Sequence, residues 1–96
     1  MMPNSASVTL RVPTSLSELT GDRDRIGFDV STVDELLERV RDDEPLLAGH
    51  LFADDGRIRG YVNLFVNGVD VRLLEAGERD LPPGSVVTIV PSVAGG

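Results

Sequence analysis

One strongly signalled helix, set between two blocks of alternating residues, does most to limit what this chain can fold into. Thr32 is followed three residues later by Glu35. That is the spacing of a capping box, in which the threonine oxygen accepts the Glu35 amide and the glutamate reaches back to the cap. Val33, Leu36, Leu37 and Val40 follow at i, i+3, i+4 and i+7, forming one apolar stripe. Glu38, Arg39, Arg41 and Asp42 fall on the polar side, and Asp43-Glu44-Pro45 ends the helix. A helix with a single apolar stripe must bury it against another layer, and the flanking segments read as a sheet.

Val8, Leu10 and Val12 alternate with Thr9 and Arg11, the period of a half-buried strand. Pro13-Thr14-Ser15 breaks the pattern, and Leu16 and Leu19 anchor a connector ending at Thr20-Gly21-Asp22. Ile26, Phe28 and Val30 alternate again, so Arg25–Val30 is a second strand, expected antiparallel to the first. Pro45–Arg59 is less regular: Leu46, Leu47, Leu51 and Phe52 supply buried anchors, and Asp54-Asp55-Gly56 a turn. Tyr61–Val66 is a strong strand, with Val62, Leu64 and Val66 on one face and Tyr61, Asn63 and Phe65 on the other. Asn67-Gly68 is a strong hairpin signal because both residues tolerate positive φ, so Val69–Leu73 is the expected returning strand. Pro82-Pro83-Gly84 turns the chain into a last strand at Val86–Val90. The order strand, strand, helix, strand, strand, strand makes an α+β domain over residues 1–90. Residues 91–96 have no partner pattern and are expected to project as a flexible tail.

The bulk numbers narrow the function. Ninety-six residues with 41% hydrophobic content suit one small globular domain. With no cysteine, the chain has no disulfide, thiolate nucleophile or Cys-ligated zinc. Its net charge of −7 disfavours nucleic-acid binding, which needs a cationic footprint. An acidic surface suits partners with basic docking faces, although it more often serves solubility alone. All nine cationic side chains are arginine. Residues 1–7 show no basic region followed by an apolar run, and no apolar stretch approaches transmembrane length, so the expected compartment is the cytoplasm, with no membrane partner.

Few side chains invite a catalytic reading. His50, the only histidine, has no metal-ligand neighbours and is expected at the surface or a helix end. Asp54-Asp55-Gly56 superficially resembles a calcium loop but lacks the following glutamate at the right spacing, so a plain turn is expected. Asp42-Asp43-Glu44 reads as a solvated helix end opposed to the helix dipole. No metal site and no catalytic residue is expected, and the chain is not read as an enzyme.

The pieces together resemble the MoaD/ThiS family of β-grasp (ubiquitin-like) sulfur carriers. The matching text includes Leu10-Arg11-Val12-Pro13-Thr14-Ser15-Leu16, Leu19-Thr20-Gly21, the capped helix from Thr32, and Leu51–Arg59. It continues through Tyr61–Gly68, Asp70-Val71-Arg72 and Val87-Thr88-Ile89-Val90-Pro91-Ser92-Val93-Ala94-Gly95-Gly96, nearly end to end. The branch serving cysteine biosynthesis is the most similar, and the small subunit of molybdopterin synthase is a step further off. Two departures stand out. The acidic turn usual before the final strand is here Pro82-Pro83-Gly84-Ser85, and no lysine is available as an acceptor for chain building.

The resemblance implies a mixed sheet packed on one main helix, with the first and last strands near its centre. It also implies that the working group is the carboxylate of Gly96, presented by the tail Val93-Ala94-Gly95. Gly96 has no side chain, so its carboxylate can thread a narrow tunnel. From Pro91 the tail reaches roughly 20 Å when extended. An adenylating enzyme of the ubiquitin-activating type is implied as one partner, consuming ATP and leaving a C-terminal thiocarboxylate once a sulfur donor displaces AMP. A sulfur-accepting biosynthetic enzyme is implied as the other, and the carrier itself needs no cofactor. A protein modifier joined through Gly96 to other proteins uses the same activation and stays open as an alternative. If Val62, Leu64 and Val66 face the helix, Phe65 lies on the open face of the sheet together with Val90. The two are candidates for a partner-docking patch in the manner of ubiquitin's hydrophobic face, unless the connector around Leu16 covers Phe65.

Overall fold

The alternation and the helix stripe meet across a single core. The structure, a computed structural model, describes residues 7–75 and 79–91. Five strands, β1 (Val8–Arg11), β2 (Arg25–Phe28), β3 (Val62–Val66), β4 (Val69–Asp70) and β5 (Ser85–Pro91), form one mixed sheet in the order β2-β1-β5-β3-β4. Two helices, α1 (Val33–Asp43) and α2 (Pro45–Leu51), follow one another between β2 and β3. β1 pairs antiparallel with β2 and parallel with β5, while β5 and β3 are antiparallel. The last strand therefore occupies the middle of the sheet.

Register decides which side chains the sheet buries. Leu10 lies opposite both Ile26 and Val87, and Leu64 opposite Ile89. All five are buried, against Val33, Leu36 and Val40 of α1. Leu47 and Leu51 of α2 close the same core. Pro45 opens α2, where its missing N–H costs nothing and its fixed φ suits the first turn. The segment expected to be irregular is thus helical over Pro45–Leu51. Its Leu47/Leu51 pair, one turn apart, is an apolar stripe too short to stand out in the sequence.

The capping box forms with one shift. Glu35 N–H donates to Thr32 Oγ1 at 3.1 Å, but the Glu35 carboxylate reaches past the cap to Ser31, accepting from its N–H at 2.8 Å and its hydroxyl at 2.9 Å. At the other end of α1, Asp42 and Asp43 are exposed as expected, and only Glu44 departs from a solvated end. Asp43 is paired with Arg39 at 3.1 Å. Glu44 joins α1 to α2 and is gripped by Arg23, whose guanidinium donates to both carboxylate oxygens at 2.9 and 2.8 Å. Arg23 Nε in turn donates to the carbonyl of Thr20 at 2.6 Å, which ties the 3-10 turn Thr14–Thr20 to the helix junction.

Two turns behave as their residues require. Asn67 and Gly68 have φ of 50° and 89°, both positive as a two-residue hairpin demands. Asn67 also donates its N–H to the Val86 carbonyl and accepts the Val86 N–H on Oδ1, each at 2.8 Å, so the turn is tied to β5. The returning strand is shorter than expected. Asp70 Oδ1 accepts the Arg72 N–H at 2.9 Å, and Val71–Leu73 winds into a 3-10 turn instead of extending β4.

Candidate functional site

The helices cover one face of the sheet, and the candidate site lies on the other face and at the end of β5. Directly opposed residues share a face, so the registers assemble a row across four strand boundaries. Arg25 lies opposite Arg11, Arg11 opposite Thr88, Thr88 opposite Phe65 and Phe65 opposite Asp70. With strands about 4.8 Å apart, the row runs from two cations through an aromatic ring to a carboxylate. Val90 lies opposite Asn63, one step along β5 and diagonal to Phe65, a placement within reach of an aromatic side chain.

The structure thus places Phe65 and Val90 on the same face, diagonal to one another. Val90 is 40% exposed, and Phe65 is half-buried. Leu16 is buried in the core and packs with it. Tyr61, just ahead of β3, is exposed as well. Alternation alone put Arg11 on this face. Its position beside Thr88 and opposite Arg25 needed the strand order, which no local pattern reveals. Like charges directly opposite one another destabilise a sheet slightly, so the Arg11–Arg25 pair is a small local cost on this surface.

β5 carries the chain to Pro91, which lies opposite Val62 at the start of β3. Gly96, Gly95, Ala94 and Val93, expected as the working end, lie outside the described residues. What the described residues establish is the base from which that segment departs: a strand paired on both sides, with Val87 and Ile89 buried beneath it.

The remaining candidates take ordinary places. His50 is exposed in the last turn of α2. Asp54-Asp55-Gly56 closes a tight turn in which Gly56 has φ 86° and Asp55 Oδ1 accepts the Arg57 N–H at 3.0 Å. Among the described residues, no group of three or more His, Asp or Glu side chains is placed to hold a metal ion. No described helix is long and apolar enough to cross a membrane. The Glu35 carboxyl is displaced in its titration. The Ser31 backbone N–H, then its hydroxyl, hold it below the usual carboxylate range, which serves the helix cap.

A main α-helix, with a short second one beside it, laid on a mixed sheet whose last described strand is central defines a β-grasp, ubiquitin-like protein. Residues 10–96 match the ThiS family, and the chain belongs to it. The sulfur carrier protein CysO of Mycobacterium tuberculosis is 28% identical over 92 residues, covering 94% of this chain and 99% of that protein. Small archaeal modifier protein 3 of Haloferax volcanii is 35% identical over 68 residues, 71% of this chain and 73% of that one. Among solved structures, a chain of the Amycolatopsis orientalis BexX/CysO complex superposes with a TM-score of 0.78 at 30% identity, covering 93% of this chain and 99% of its own.

Proposed function

We propose that this chain is a sulfur carrier whose cargo is held on the C-terminal carbon of Gly96. The supporting observation is the coincidence of two features. The family match runs through Gly96, and the strand leading to it is the central one, anchored on both sides. A carboxylate is a poor acyl donor and must first be activated. In the proposed cycle a Gly96 oxygen attacks the α-phosphorus of ATP in a partner's active site, releasing pyrophosphate and leaving an acyl-adenylate. A sulfide equivalent then attacks the acyl carbon and expels AMP, leaving a thiocarboxylate. Its sulfur is the nucleophile handed to a substrate held by a second enzyme. The carrier supplies neither base nor metal, and ATP is consumed by the partner. Phe65 and Val90, with Arg11 and Arg25 beside them, form the surface held against the activating enzyme while the terminal residues reach inside.

The test is intact-mass spectrometry after incubation with ATP, a sulfide source and an activating enzyme. One oxygen should be replaced by sulfur, and deleting Gly96 should abolish the change. A deletion variant that still acquires sulfur would sink the proposal. Similarity to a relative named as a protein modifier supports a second reading, conjugation through Gly96 to lysines of other proteins. Chains of this protein joined to itself through lysine are ruled out by its lack of lysine.

A further inference from the structure

On the helix side of the sheet, away from Phe65 and Val90, a groove of about 360 Å³ lies between α1 and the β3–β4 end. Its floor is apolar: Leu37 of α1, Val62 and Leu64 of β3, and Val71. Its rim carries Arg41, Arg57, Arg72 and Arg79, four of the nine cations in a chain of net charge −7. Arg41 is fixed by donating to the Gly56 carbonyl at 2.8 Å and by stacking over the Phe52 ring at 4.1 Å. Arg72 donates to the carbonyls of Val62 at 2.9 Å and Gly60 at 3.3 Å. Carbonyl oxygens orient a guanidinium without neutralising it. Of these four arginines, Arg79 pairs with the carboxylate of the exposed Asp34 at 3.3 Å.

We propose that this groove binds an extended acidic peptide segment of a partner protein. The spacing of the cations separates this occupant from a single small anion. Arg79 sits at the first turn of α1, where its carbonyl accepts the Val33 N–H at 2.9 Å, whereas Arg41 is in the last turn. Arg41 lies seven helical positions beyond Asp34, a distance of about 10 Å at 1.5 Å per residue. One phosphate cannot bridge that span. Two carboxylates three residues apart on an extended, polyproline-II-type chain do, because its three-residue turn returns them to the same side at about 3.1 Å per residue. The side chains between them would cover the apolar floor, which a bare anion leaves wet. Nucleic acid fits poorly, because the net negative charge of the molecule repels a polyanion. The site stands on the groove alone and leaves the opposite sheet face open to another partner.

The experiment is an NMR titration of the whole chain, at millimolar ligand, with three probes. The first is the acetylated, amidated peptide Ser-Glu-Leu-Leu-Glu-Ser, the second the same peptide with glutamine for both glutamates, and the third inorganic phosphate. The glutamate peptide should shift the signals of Leu37, Ile58 and Val71, while the glutamine peptide and phosphate should shift them weakly or not at all. Arg57→Gln and Arg79→Gln should each weaken binding by roughly fivefold or more, since each removes a charge-assisted partner. Both side chains lie at the rim, so the thermal midpoint should stay near the parent value. Equal binding of the glutamine peptide would reduce the site to apolar adhesion and overturn the proposal. So would equal or tighter binding of phosphate, shifts confined to the Phe65 face, unchanged affinity in the folded variants, or no shift at all.

Discussion

Phe65 shows how far a single side chain's role can be read from its row in the sheet. It is half-buried on the face that α1 does not cover, between Thr88 and Asp70 and diagonal to Val90. Aromatic anchors commonly dominate interface energies, truncation costing on the order of 2 kcal/mol or more. Phe65→Ala is therefore expected to weaken the activating enzyme's apparent affinity by roughly tenfold or more while the thermal midpoint falls only slightly. A variant that unfolds readily, yet is activated normally in its folded fraction, would make Phe65 a core residue. His50 gives the opposite expectation. It is exposed at the end of α2 and bonded to nothing that the proposed chemistry uses. His50→Ala should transfer sulfur at the parent rate in a reconstituted system, and a large loss with the fold intact would contradict a carrier without catalytic side chains.

At the scale of elements, α1 carries a pH dependence of its own. Ser31 donates two hydrogen bonds to the Glu35 carboxylate, and these hold its pKa below the ordinary value, against the opposing effect of desolvation. A carboxyl depressed in the folded state stabilises that state above its unfolded pKa, and the contribution disappears as pH falls through the folded value. Glu35→Gln should lower the thermal midpoint at neutral pH and match the parent once the pH is below the carboxylate range. A gap that stays constant down to acid pH would assign the effect to shape instead of charge. The same helix was the most legible element, because its cap and stripe are both local. α2 was not read as a helix, since Pro45 and the pair Leu47/Leu51 make too brief a pattern. β4 was overextended, because the Asp70 side chain captures the Arg72 N–H and turns the chain, a contest between side chain and ladder that alternation does not register.

For the molecule as a whole, alternation assigned faces correctly along β1, β3 and β5, and the open-face placement of Phe65 and Val90 followed from it. The order of the strands came through resemblance, because pairing between β1 and β5 joins residues at opposite ends of the sequence. The arginine-rimmed groove had no signal at all. Its cations stand at positions 41, 57, 72 and 79, and only the packing of α1 against the β3–β4 end gathers them. Fold and proposed function should also separate cleanly in one variant. Deleting Gly96 is expected to leave the thermal midpoint unchanged while abolishing thiocarboxylate formation, because no described core residue lies beyond Ile89. A coupled loss of both would mean that the terminus is structural.

The central position of β5 has a mechanical meaning. An enzyme that draws the C-terminal end into its active site pulls along β5, which is hydrogen-bonded to β1 on one side and β3 on the other. Ladder bonds lie nearly perpendicular to the strands, so force applied along β5 loads both ladders in shear, with many bonds sharing it at once. Traction on an edge strand from the side would open its bonds one after another, like a zipper. Traction along the terminal strand should thus meet the stiffest direction of the domain. In single-molecule pulling, a handle at the C-terminal end should demand more force in shear, against a second handle at the start of β1, than a pair placed to peel β2 away. Equal forces in the two geometries would deny the sheet this role as an anchor.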